Sequence, residues 1–203
     1  IERVDPYTIT SPERIHGLID SVRYFLRNGV PGGFLECGVY KGGSMMTVAL
    51  TLLSEGVTDR DLYLFDTFAG MPALGNRDVD LFGVPAMEEF SKRRISATSS
   101  TWANASLQEV KQAMASTGYP TAKMHFVQGM VEDTIPQGAP ESLALVRLDT
   151  DWYQSTLHEM EHLYPRLSTK GVLIVDDYGH FRGSREAVDT YFARNKLAPF
   201  MHR

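Results

Sequence analysis

Apolar residues mark out the elements of this chain before any other property does. In "TSPERIHGLIDSVRYFLRNG" (10–29), Ile15, Leu18, Ile19, Val22, Phe25 and Leu26 recur at helical spacing. Thr10 or Ser11 can cap that helix, Pro12 suits its first turn and Gly29 stops it, so the spacing predicts an N-terminal helix within residues 1–30. "GFLECG" (33–38) predicts a short buried strand, "SMMTVALTLLSEG" (44–56) an apolar helix and "DLYLFDTF" (61–68) a second strand. Residues 69–103 hold no sustained period apart from a short helix over "AMEEFSKRRI". Regularity returns with a helix at "NASLQEVKQAMAS", where Ser106 and Glu109 fit a capping box. Strands follow at "KMHFVQG" (123–129) and "ESLALVRLD" (141–149), then a helix at "STLHEMEHLYPRL" (155–167). A strand at "GVLIVDD" (171–177) and a helix at "SREAVDTYFARNK" (184–196) complete the series.

Near-continuous apolar strands alternating with helices predict one α/β domain over residues 1–203, with a mostly parallel central sheet and helices on both faces. An irregular insertion as long as 69–103 points to a lid, a binding loop or a disordered segment. In this architecture ligands gather beyond the carboxyl ends of the strands. Glu36, Asp66, Gln128, Asp149, Asp151, Asp176 and Asp177 all fall at such ends.

Composition narrows the partners. A hydrophobic content of 43% and a charged content of 22% are those of an ordinary globular protein. A net charge of -5 argues against a nucleic-acid partner. Apolar runs such as 172–175 are too short to span a bilayer, and "IERVDPYTIT" lacks a signal pattern. The single cysteine, Cys37, cannot form an internal disulfide and suits a reducing cytoplasm, so the expected localisation is cytoplasmic. Within its strand, Cys37 reads as core rather than nucleophile.

Candidate chemistry sits at the strand ends. "ECGVYKGGS" follows a strand and opens a helix, so Gly38, Gly42 and Gly43 let backbone approach a ligand, and the helix start at Ser44 offers N–H groups. It is not a GxGxxG dinucleotide fingerprint. Asp66 ends the next strand, where an acid accepts from ribose hydroxyls; a capping role is the alternative. Asp149, Asp176 and Asp177 offer three hard oxygen donors that would crowd prohibitively without a cation such as magnesium. "HEMEH" (158–162) matches the H-E-x-x-H zinc pattern, but a stripe of Leu157, Met160, Tyr164 and Leu167 turns both histidines toward solvent. "LDTDWYQST" also has the D-x-D of haloacid-dehalogenase-like phosphatases, although Tyr153 replaces their Thr or Val and the motif comes late. No G-x-S-x-G elbow is present.

With those residues in hand, the chain resembles the macrocin O-methyltransferase family. The resemblance runs through "YTITSPERI", "FLECGVYKGGSMM", "DLYLFDTFAGMP", "FVQGMVEDTIP", "RLDTDWYQST" and "GVLIVDDYGHFRG". It implies a Rossmann-like class I methyltransferase fold of seven-stranded type, with the last strands cut short. It also implies S-adenosylmethionine and magnesium as cofactors, and a hydroxyl of a small acceptor, sugar or polyketide-like, as substrate. By resemblance, Glu36 and the turn Gly38, Tyr40, Gly42, Gly43 and Ser44 would hold the methionine part of the cofactor. Asp66 would hold the ribose, and Gln128 with Gly129 would border the adenine. Asp149, Asp176 and Asp177 match the metal acids and Asp151 the general base, with a fourth metal ligand or a cap for the following helix as its other readings. A catechol-like acceptor, a non-catalytic binding subunit and a homo-oligomer stay open at this point.

Overall fold

The computed structural model describes residues 1–73, 75, 77–96 and 99–201. Five parallel strands form its sheet: β1 (Gly33–Cys37), β2 (Leu62–Asp66), β3 (Met124–Gln128), β4 (Leu143–Leu148) and β5 (Leu167–Val175), in the order β3-β2-β1-β4-β5. Every pairing is parallel, so each connection crosses the sheet through a helix. The chain order reverses between β1 and β4. That reversal opens a crevice at the strands' carboxyl ends.

Successive residues of a buried strand face opposite sides. Phe34, Leu62, Leu64 and Leu145 therefore pack on α1 (Pro12–Arg27), α2 (Gly43–Ser54) and α4 (Leu107–Ala115). Leu35, Cys37, Phe65, Val146 and Leu148 pack on α5 (Val131–Thr134), α6 (Tyr153–Leu163) and α7 (Arg182–Arg194). No helix among the described residues is long and apolar enough to cross a membrane. Ser11 caps α1 with Pro12 behind it, and the Ser106/Glu109 capping box opens α4, both as the sequence predicts. β5 begins earlier than the apolar run suggests, because "LSTK" already pairs with β4 across a register shift in which Lys170 takes φ 68°.

The 69–103 segment carries the short helix α3 (Ala86–Arg93). It also forms isolated bridges between Val79 and Pro85, Asp80 and Phe181, and Arg94 and Ser100. Its Ala86, with Met71 and Trp102, packs against Trp152 and Phe181. It also holds the buried polar residues Asp78 and Ser100. Side chains drawn from far along the chain thus supply the order that its weak periodicity does not show.

Candidate functional site

Parallel register assembles the acidic face. Glu36 of β1 pairs with Arg147 of β4, which pairs with Ile174 of β5, so these three side chains lie in one row. Asp149 and Asp176, two residues further along their own chains, point to the same side. Arg147 Nη1 lies 2.6 Å from Glu36 Oε1 and 2.6 Å from Asp149 Oδ2. Its Nη2 lies 2.7 Å from Asp176 Oδ1, and Arg14 of α1 reaches Asp176 Oδ2 at 2.8 Å. Arg147's side chain is only 4% exposed, so one buried guanidinium answers three carboxylates. Burial pushes the Glu36 carboxyl up to about 7 against the opposing pull of Arg147. Its Oε2 is buried without a hydrogen-bond partner.

A second set forms where β4 ends. Asp149, Asp151 and Asp177 each bring a carboxylate oxygen within 4.8 Å of the others. β4 stops at Leu148, so Asp151 does not reach the cluster by strand continuation. It arrives by a turn in which Trp152 N–H donates to the Thr150 carbonyl at 2.8 Å and Asp151 takes φ 66°. Asp177 comes from the helical turn after β5, and its Oδ2 is buried without a partner. Burial, and then the neighbouring Asp177, raise the Asp151 carboxyl well above its usual range. Burial does the same for Asp149, with Arg147 opposing. Of the three acids expected to hold a metal, Asp149 and Asp177 stand together in this trio, Asp149 also bonding Arg147, whereas Asp176 has both oxygens on Arg147 and Arg14.

The glycine turn is shaped by the chain itself. Gly38, at φ 80°, sits where a Cβ would come within 2.0 Å of the Asp149 carbonyl, so β1 and β4 can close only around a glycine here. Gly42, at φ 92°, is the left-handed residue that opens α2, and Tyr40 has φ 50°. At Gly43 a Cβ would meet Thr8 and the Tyr7 carbonyl, so the N-terminal segment packs on the start of α2, and Ser44 is buried beneath it. Asp66 clamps this turn: its Oδ2 accepts from Val39 N–H at 2.6 Å and Tyr40 N–H at 3.2 Å, and its Oδ1 from Phe68 N–H at 2.7 Å. The capping reading of Asp66 therefore describes its visible bonds, while its position beside the crevice keeps the ribose reading available. Gly129, at φ 146°, donates to the Asp66 carbonyl, and the exposed Gln128 turns its amide onto the Thr67 carbonyl.

Gly38, Asp66, Gly129 and Asp149 line a crevice of about 60 Å³. It adjoins a larger cavity of about 650 Å³ whose walls include Arg77, Asp78, Glu132, Trp152 and Tyr153. Pro72, Met130, Glu132 and Ser155 belong to both walls. Of the acidic trio, Asp149 lines the smaller of the two adjoining chambers.

Three residues of this site escaped the sequence reading. Arg147 was signalled by a charge inside the apolar run "LALVRLD", since Arg is almost never fully buried unless paired. Asp78, within the insertion, accepts from Tyr153 N–H at 2.8 Å, so an acid from outside α6 satisfies its first N–H. Glu159 is 0% exposed. The buried stripe of α6 is Ser155, Thr156, Glu159, Met160 and Leu163, shifted from the predicted one because three of its members are polar. His158 and His162 are half-buried beside it, with ring centroids 4.4 Å apart, and His158 Nε2 lies 3.1 Å from the Ile135 carbonyl. Neither joins the acidic cluster, and among the described residues no zinc-type group forms there. Cys37 is fully buried in the core, as expected.

The family model described as "Macrocin-O-methyltransferase (TylF)" matches residues 4–203. Mycinamicin III 3''-O-methyltransferase of Micromonospora griseorubida is 31% identical over 95% of this chain and 72% of its own length. A tetracenomycin rhamnosyl 4'-O-methyltransferase of Streptomyces olivaceus is 33% identical over 93% of this chain and 68% of its own. The solved structure of the O-methyltransferase NovP superposes with a TM-score of 0.82 at 28% identity, covering 97% of this chain and 78% of that one.

Proposed function

As a member of the macrocin O-methyltransferase family, the chain is an O-methyltransferase, and we propose that it methylates a sugar hydroxyl of a small natural product with S-adenosylmethionine and magnesium. The observation that carries this reading is the trio Asp149, Asp151 and Asp177 within 4.8 Å, with Asp149 lining the crevice beside Gly38. The tetracenomycin relative is named for a substrate that carries a rhamnosyl group, which supports a sugar acceptor.

The residues fit a divalent cation. Three clustered carboxylates, one with a buried unpartnered oxygen at Asp177 Oδ2, form an all-oxygen donor set of the kind magnesium takes and zinc does not. Asp149 and Asp177 would hold it, and Asp176 would join only by leaving Arg147 and Arg14. When bound, S-adenosylmethionine supplies the methyl group and magnesium lowers the charge cost of deprotonating the acceptor hydroxyl. Glu36 and the clamped turn from Gly38 to Ser44 would seat the methionine end, Asp66 the ribose, and Gln128 with Gly129 the adenine edge. The wall of Trp152 and Tyr153 orients the acceptor. Asp151, held over the cluster by its left-handed turn, accepts the hydroxyl proton and releases it to solvent after transfer.

Release of S-adenosylhomocysteine from S-adenosylmethionine with mycinamicin III as acceptor tests the reading, with chelation and magnesium add-back in parallel. Activity that survives exhaustive chelation removes the cation. Asp151→Asn is expected to lower turnover by roughly 10²–10⁴ while cofactor and metal affinity hold, the usual contribution of a positioned base. Rescue of that variant by excess magnesium would make Asp151 a ligand instead.

A further inference from the structure

We propose that Glu159 is a positioning residue: from inside the core it anchors Thr150, and thereby aims the Asp151 carboxylate that follows it. Thr150 Oγ1 donates to Glu159 Oε2 at 3.1 Å. The flanking residues are fixed by other means. Asp149 N–H donates to the Cys37 carbonyl at 2.9 Å, and its own carbonyl closes against Gly38. Trp152 is held by rings, with Phe181 at 5.2 Å and Trp102 at 5.8 Å between centroids. Between these two fixed ends the chain turns through Asp151 at φ 66°, a conformation that a non-glycine residue keeps only when its surroundings enforce it. The bond from Thr150 to Glu159 is the side-chain restraint at the centre of that turn.

Packing alone does not account for a carboxyl here. Glu159 lies between Thr156 and Met160 on the buried stripe of α6, 0% exposed, with Oε1 lacking a hydrogen-bond partner. A methionine would fill the space without that desolvation penalty. Burial holds the carboxyl well above its usual range, with the bond from Thr150 opposing. The carboxyl bonds Thr150, which an apolar residue could not do, and has the Cys37 thiol as a further polar neighbour.

The geometry of the turn does not depend on the proposed function; its catalytic meaning rests on that reading. The experiment therefore has two readouts on the 203-residue chain with Glu159→Met, Glu159→Gln and Thr150→Val. The first is amide exchange followed by NMR at Trp152, whose N–H closes the turn onto Thr150. Exchange at Trp152 is expected to accelerate about tenfold in Glu159→Met and Thr150→Val, the loss of roughly one hydrogen bond's restraint. Amides of β1 and β4 should stay protected, and Glu159→Gln, which keeps an acceptor oxygen, should restore the wild-type rate. The double variant Glu159→Met/Thr150→Val should be no faster than either single one, because both remove the same bond. The second readout is Mn2+ affinity by electron paramagnetic resonance, expected to fall in Glu159→Met and Thr150→Val and to be kept in Glu159→Gln, with S-adenosylhomocysteine affinity unchanged in all. Unaltered exchange at Trp152 in a folded Glu159→Met, or additive effects in the double variant, overturns the proposal. A wild type that binds no Mn2+ overturns the metal reading instead, while the exchange readout still decides the role of Glu159.

Discussion

Arg147 Nη1 and Glu36 Oε1 lie 2.6 Å apart on adjacent strands, 111 residues apart in sequence, with side chains 4% and 1% exposed. Neither charge is tolerable there alone. Removing one partner of such a buried pair typically costs about 3–5 kcal/mol, because the other is left uncompensated. Arg147→Met is therefore expected to destabilise the fold by about that much in denaturant titrations. Adding Glu36→Gln should recover part of the loss, and strictly additive losses would show that the pair is not the unit that matters.

The same pair makes stability depend on pH. Burial raises the Glu36 carboxyl from 4.5 to about 7, so between those values the folded protein keeps a proton that the unfolded chain releases. Stability from this group is complete below 4.5 and is lost as pH rises through about 7. Asp149, Asp151 and Glu159, raised by burial too, act in the same direction. Thermal melting across that window should show wild type weakening as pH rises, and Glu36→Gln should flatten the slope.

Asp78 ties the 69–103 segment to the start of α6 by accepting from Tyr153 N–H and Gly75 N–H, both at 2.8 Å. Asp78→Ala is expected to cost about 0.5–2 kcal/mol, the range for losing a helix cap. Hydrogen exchange should rise selectively in the segment and in the first turn of α6. Gly183→Ala should act similarly, since a Cβ there would come 2.2 Å from Asp78 Oδ1.

Asp66 offers a test of the cofactor end. Asp66→Ala should weaken S-adenosylhomocysteine by about 1–3 kcal/mol in calorimetry, the penalty for leaving polar groups unpaired. Faster amide exchange at Val39 and Tyr40 should accompany it, because both N–H groups lose their acceptor. Unchanged affinity with faster exchange would leave Asp66 as a clamp on the turn and no more.

Much of this was legible in the sequence because its causes are local. Strands declare themselves by apolar runs, α1 and α4 by their caps, and the carboxylates by their place at strand ends, all within windows of a dozen residues. What the tertiary structure decided are the meetings between distant side chains. Register put Glu36 opposite Arg147, and that buried guanidinium also holds Asp176. A left-handed turn, not strand continuation, brought Asp151 to Asp149. The burial of Glu159 and the cap from Asp78 likewise depend on which elements pack together. Periodicity is a property of one segment, whereas the partner of a buried charge is chosen by strand order and register, which no single segment carries.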